Sequence, residues 1–206
     1  MFRVEMSFFG VNSVGLMIVF SVNRYLNAQV QNSDYALPAI TAPMDRWQSA
    51  KTGRSMPASG RLTVAVYVTS ECPMVQKYRP ELRRLATELG NGVAWRFVYP
   101  AADAKRAAAH FAASKLPGEA VLEPEYMVAK RCGAKVTTGV LLFDATGLLR
   151  YRGRIDDRGS VMGEWKDKAT RCDLLQAVRD VQAKRPVAIT QTEAVGCFLP
   201  FLVEDH

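Results

Sequence analysis

The distribution of apolar positions divides the chain near residue 61. Leu62-Thr-Val-Ala-Val-Tyr-Val68 is an almost unbroken apolar and β-branched run, the pattern of a strand buried on both faces. After Thr69-Ser70-Glu71 the period changes. Cys72-Pro73 opens a segment in which Val75, Tyr78, Leu82, Leu85 and Leu89 recur every three or four residues before Gly90. This predicts a helix with proline in its first turn, where the missing N–H costs nothing, and a kink at Pro80. Val93 to Tyr99 reads as a second strand, so the three segments form a β-α-β unit with a right-handed crossover.

Downstream, Ala102 to Ser114 and Glu125 to Cys132 read as helices, the second stopped by Gly133. Thr138 to Asp144, the turn Ala145-Thr146-Gly147 and Leu148 to Ile155 read as an antiparallel hairpin. Arg150, Arg152 and Arg154 alternate with Leu149, Tyr151 and Ile155, which predicts a solvated, arginine-lined edge strand that discourages aggregation. Thr170-x-x-Asp173 has the form of a capping box, with Leu174, Leu175, Val178 and Val181 as the apolar face of a last helix ending before Pro186. At the other end, Phe8 to Val22 is apolar, short, and flanked by Arg3 and Asn23-Arg24, as in a signal peptide or membrane anchor. The expected organisation is a signal peptide or signal anchor over 1–28, a linker over 29–60, one domain over 61–186, and a tail over 187–206 that carries Cys197.

Composition narrows the function classes. A chain of 206 residues with 49% hydrophobic residues can bury one good core. The formal charge of +7 is spread over many short clusters mixed with acids, which fits a solvated basic surface and no nucleic-acid face. His110 and His206 are the only histidines, which leaves little for Ser-His, Cys-His or His-rich metal chemistry. The cysteines at 72, 132, 172 and 197 lack C-x-x-C or zinc-ligand spacing. No metal or cofactor is expected.

A β-α-β unit followed by a helix, a hairpin and a terminal helix is the element order of an α/β, thioredoxin-like three-layer fold, a central mixed sheet with flanking helices. That order puts Cys72 where the first strand ends and the first helix begins. There the helix dipole and free N–H groups favour a thiolate.

Thr69-Ser-Glu-Cys72-Pro73, Pro80, Tyr151-Arg-Gly-Arg-Ile-Asp-Asp-Arg158 and Val195-Gly-Cys197 together resemble exported bacterial redoxin-domain proteins of the thioredoxin-like superfamily. That group stands near the alkyl hydroperoxide reductases and thiol-specific antioxidants, and the resemblance runs from Arg61 to Leu199. It implies a periplasmic or secreted thiol-disulfide oxidoreductase acting on protein thiols, protein disulfides or a small peroxide. Its site would comprise Cys72, Pro73, Cys197 and Thr69, the last matching the threonine three residues before a peroxiredoxin cysteine. The chain departs from these patterns at several positions. Val75 stands where thioredoxins carry their second cysteine, and counting back from Asp144 puts Thr138 where they carry a cis-proline facing the active cysteine. Ala65 stands where the peroxiredoxin motif begins with proline, and Thr138 near where their catalytic arginine falls.

Among the other cysteines, Cys132 reads as a small core residue at a helix C-terminus, and Cys172, beside Arg171, as a bystander. Cys197, followed by the apolar Phe198-Leu199, is the best partner for Cys72. The alternative is a binding protein without catalysis, in which Cys72 and Cys197 form a static disulfide or, with Met74, hold copper. Asp156-Asp157-Arg158 reads as a turn whose carboxylates offset arginines, rather than as an acid–base pair.

Overall fold

The computed structural model describes residues 41, 44–55, 59–100, 103–159 and 164–202. The expected signal segment and most of the expected linker lie outside them. A six-stranded mixed sheet is built from β1 (Gln48–Ser49), β2 (Leu62–Tyr67), β3 (Val93–Tyr99), β4 (Glu119–Leu122), β5 (Val140–Phe143) and β6 (Leu149–Gly153) in the order β1-β4-β3-β2-β5-β6. Strands β2, β3 and β4 are parallel, while β5 runs antiparallel to both β2 and β6. The contiguous part of the sheet β3-β2-β5-β6, with β5 reversed, is the strand order of a thioredoxin-like fold. The expected fold class is therefore the one observed.

Helices α1 (Pro73–Leu89), α2 (Ala104–Ser114), α3 (Met127–Cys132) and α4 (Asp173–Gln182) flank the sheet. Alternation along β2 sorts its side chains between two cores. Val64 and Val66 meet Val75, Tyr78, Leu82 and Leu85 of α1 and Leu174 and Val178 of α4, whereas Ala65 and Tyr67 face the layer that holds Val128, Ala129 and Cys132 of α3. All six β2 residues are buried, as a central strand covered on both faces requires. Helix α1 continues through Pro80 as one element.

Four features differ from the sequence expectations. Residues 44–55, read as linker, contribute a short 3-10 turn and β1, and Met44 and Trp47 are buried in the α3-side core. Strand β4 was not anticipated; it is four residues long and follows Pro117-Gly118, too short for a periodic signal. The first turn of α4 is not capped by Thr170. Asp157 instead accepts from the N–H groups of Thr170 (2.8 Å) and Arg171 (2.9 Å), while Asp156, fully buried, accepts from the Tyr78 hydroxyl and pairs with Arg158. Both carboxylates are thus used structurally.

The arginine-lined edge is the fourth. The tail pairs alongside β6 through Arg152 N–H to the Thr190 carbonyl and Thr192 N–H to the Arg152 carbonyl, both 3.0 Å. The Arg152 guanidinium binds Gln191 Oε1 and the Cys132 carbonyl, and Arg154 pairs with Asp173. The edge is covered by the chain's own C-terminal segment, and two of its arginines hold that segment and the helix ends in place. Gly153, at φ 146, permits this approach, since a Cβ there would collide with Thr192.

Candidate functional site

Cys72 sits at the N-cap of α1 with extended backbone (φ −75°, ψ 118°), and Pro73 is the first helical residue. The end of β2 and the start of α1 fix the thiol at the C-terminal edge of the parallel strands, with the residue only 1% exposed. Thr137, in the loop before β5, places its Oγ1 2.9 Å from Cys72 Sγ. The tail then brings Cys197 Sγ to 2.8 Å from the same sulfur. Thr69 lies half-buried in the loop before Cys72, and the described hydrogen-bond partners of the Cys72 thiol are Thr137 and Cys197, not Thr69. Of the four residues expected at the site, Cys72, Pro73 and Cys197 come together.

Thr137 is the residue the sequence reading missed. Counting back from Asp144 puts Thr138 opposite the cysteine, but β5 begins only at Val140, and Thr138 turns into the left-handed region (φ 58). Its N–H binds the Tyr67 carbonyl and its hydroxyl binds the Val195 carbonyl, so the neighbour faces Cys72. Thr137 Oγ1 accepts the Cys197 N–H at 2.9 Å, which leaves its own proton to donate to Cys72 Sγ.

The tail is held by main-chain pairing around that thiol. Thr137 N–H binds the Cys197 carbonyl (2.8 Å) and Leu199 N–H binds the Lys135 carbonyl (2.9 Å), so Val136 and Phe198 form an antiparallel bridge. Leu199 is fully buried with Trp47 and Val128, whereas Phe198 is 68% exposed. Gly196 passes so close to the Thr137 carbonyl that a Cβ would collide with it.

Electrostatics separate the two sulfurs. Burial pushes the Cys72 thiol up, but hydrogen bonds from the Cys197 thiol and the Thr137 hydroxyl, helped by the nearby N–H dipoles of Cys197 and Val75, outweigh it, and the net shift is downward. Burial, followed by the hydrogen bond and charge of Cys72, raises Cys197. Cys72 is therefore the thiol that ionises first, with Cys197 as the protonated donor beside it. Burial and the Glu123 carboxylate push Cys132 up to about 12. Burial also raises Cys172, which stands at the N-cap of α4 away from the pair.

No protein-family model matches the chain, and no curated protein matches it significantly. Among solved structures, a hypothetical protein from Sinorhizobium meliloti aligns over 80% of this chain and 94% of its own, with 25% identity and a TM-score of 0.65. An uncharacterized conserved protein from Geobacillus kaustophilus aligns over 80% and 96%, with 20% identity and a TM-score of 0.61. The thioredoxin domain of a thiol-disulfide oxidoreductase from Bacteroides vulgatus aligns over 70% and 93%, with 16% identity and a TM-score of 0.47. Fold and site together define a thioredoxin-like protein with its cysteine pair split between the first helix and the C-terminal segment.

Proposed function

We propose that this protein is a thiol-disulfide oxidoreductase acting outside the cytoplasm, with Cys72 as nucleophile and Cys197 as resolving thiol. The observation that carries this reading is the 2.8 Å approach of Cys197 Sγ to a buried Cys72 Sγ whose thiolate is favoured. The Cys72 thiolate attacks one sulfur of a substrate disulfide, that S–S bond breaks, and the departing thiolate takes a proton from solvent. Cys197 then attacks Cys72 Sγ in the mixed disulfide. The substrate's second sulfur leaves with the Cys197 proton, and a Cys72–Cys197 disulfide remains. The substrate gains two electrons and the protein loses them; a dithiol donor restores the starting state.

The absence of Thr69 from the Cys72 hydrogen bonds favours disulfide exchange over a peroxidase site. The 2.8 Å sulfur spacing favours a redox pair over a copper centre, because two thiolates on one metal, each with a bond of about 2.3 Å, stand well over 3 Å apart. The apolar segment Phe8 to Val22 supports export, and a disulfide persists in the oxidising compartments that export reaches.

A static Cys72–Cys197 bond is the competing reading, supported by how firmly Leu199 anchors the tail. Equilibration against glutathione buffers, with the oxidised fraction read by mass, separates the two. An exchanging pair has a reduction potential above about −300 mV, whereas a lower potential would make the bond structural.

A further inference from the structure

Residues 195–199 reach Cys72 chiefly through main-chain hydrogen bonds, which depend little on side-chain identity. The exceptions are one glycine at the tightest approach, the cysteine itself and one buried leucine two residues after it. Side-chain contributions to docking are thus concentrated in the pattern Gly-Cys-x-Leu. The loop edge they occupy, residues 135–137, presents the Lys135 carbonyl and the Thr137 N–H to whatever extended segment lies on it. A groove of about 710 Å³ continues from it, lined by Lys135, Val136 and Arg152 together with Thr192, Val195 and Phe198 of the tail. Cys72 is 1% exposed with the tail in place, so a polypeptide disulfide reaches its sulfur only after this segment lifts.

We infer that the tail is an internal stand-in for the substrate. The polypeptide that Cys72 attacks is an extended segment that replaces residues 195–199 on the 135–137 edge, pairing antiparallel by strand addition. Its preferred sequence places a leucine-like residue two positions after its cysteine, in the site vacated by Leu199. The inference rests on the exchange chemistry proposed above and adds the substrate's shape and local sequence. Attack forms the Cys72–substrate disulfide and expels the substrate's other sulfur as a thiol. Return of the tail then brings Cys197 onto Cys72 Sγ and releases the reduced peptide.

The test uses full-length reduced Cys197→Ser protein, which stops at the mixed disulfide, and a peptide of residues 194–200 whose cysteine is activated as a thiopyridyl disulfide. A second peptide carries aspartate in place of Leu199, and the thiopyridyl disulfide of cysteamine serves as a small control. Thiopyridone release is followed at peptide concentrations where the rate stays proportional to peptide, and mass spectrometry locates the adduct on Cys72. Burial of the leucine side chain predicts capture of the first peptide about tenfold to a hundredfold faster than the second. Adding Gly196→Ala, which loosens the tail, should accelerate capture of the first peptide further; the two peptides on the Cys197→Ser protein decide the matter alone if that variant does not fold. Equal rates for both peptides and the small control would overturn the stand-in inference while leaving the thiol chemistry intact. No adduct on Cys72 with any of the three would instead overturn the exchange reading beneath it.

Discussion

Cys72 and Cys132 are buried to nearly the same degree, 1% and 0% exposed, yet their thiols are driven in opposite directions. Cys72 caps the N-terminus of α1, where the helix dipole favours negative charge, and its sulfur meets the Thr137 hydroxyl and the Cys197 thiol. Cys132 is the last residue of α3 and lies on the other face of the sheet. There Glu123 carries a carboxylate within electrostatic reach and accepts from Tyr67, Val128 and Ala129. Burial alone raises a thiol. What separates the two thiols is the number of donors close to sulfur.

The most direct challenge to this contrast is a titration of the reduced protein followed by thiolate absorbance. A thiol at about 12 is three orders of magnitude less ionised at neutral pH than an ordinary one at 9.0, and Cys72 lies below that ordinary value. Loss of the earliest step in Cys72→Ser, and its retention in Cys132→Ser, is the expected outcome; the reverse would exchange the two roles. A depressed folded value stabilises the reduced fold fully above the unfolded thiol's titration, and the contribution is lost as pH falls through the Cys72 step.

Leu199 couples the two regions, because it is buried in the Cys132 core while Cys197, two residues earlier, touches Cys72. Leu199→Ala should lower unfolding stability by about 2–5 kcal/mol and withdraw Cys197 from the site. Denaturant titration reads the first effect and the yield of cross-linked peptide after oxidation reads the second. A stable variant with full cross-linking would show that the tail docks without its anchor.

A smaller change sharpens the account of the donors. Thr137→Val removes one hydrogen bond to the Cys72 thiolate and the acceptor for the Cys197 N–H. The Cys72 titration should move up toward the ordinary thiol value, and the alkylation rate below it should fall about tenfold, as the loss of one hydrogen bond to a charged group implies. Cys132 should not respond. An unchanged Cys72 would mean that the hydroxyl plays no part in ionising it.

Much of this arrangement is legible in sequence because it is local. Leu62–Val68, the stripe from Val75 to Leu89 and the hairpin around Gly147 each carry their own period, and a cysteine before Pro73 at the end of a buried strand is identified by position. Thr137 was missed because it reaches Cys72 across 65 residues from an irregular loop, where a left-handed Thr138 displaces the count by one. Trp47 and strand β4 were missed because short polar-flanked segments show no period; they gain structure only by packing on a sheet formed elsewhere. The approach of Cys197 to Cys72 is foreshadowed in sequence by the apolar residues after Cys197. The glycine that lets the tail pass Thr137 becomes meaningful only with the neighbouring backbone in place.

Under the proposed exchange chemistry, Cys72 and Cys197 are one redox unit. Mild oxidation of the full chain, alkylation of the remaining thiols and non-reducing peptide mapping test it directly. A single dominant cross-link between the Cys72 and Cys197 peptides is expected, with Cys132 and Cys172 recovered as free thiols. Closing a loop with a separation of 125 residues should also stabilise the oxidised fold over the reduced one by about 5 kcal/mol in the entropic model. Recovery of Cys72 and Cys197 both as alkylated free thiols, or of Cys72 joined to Cys132 or Cys172, would contradict the account.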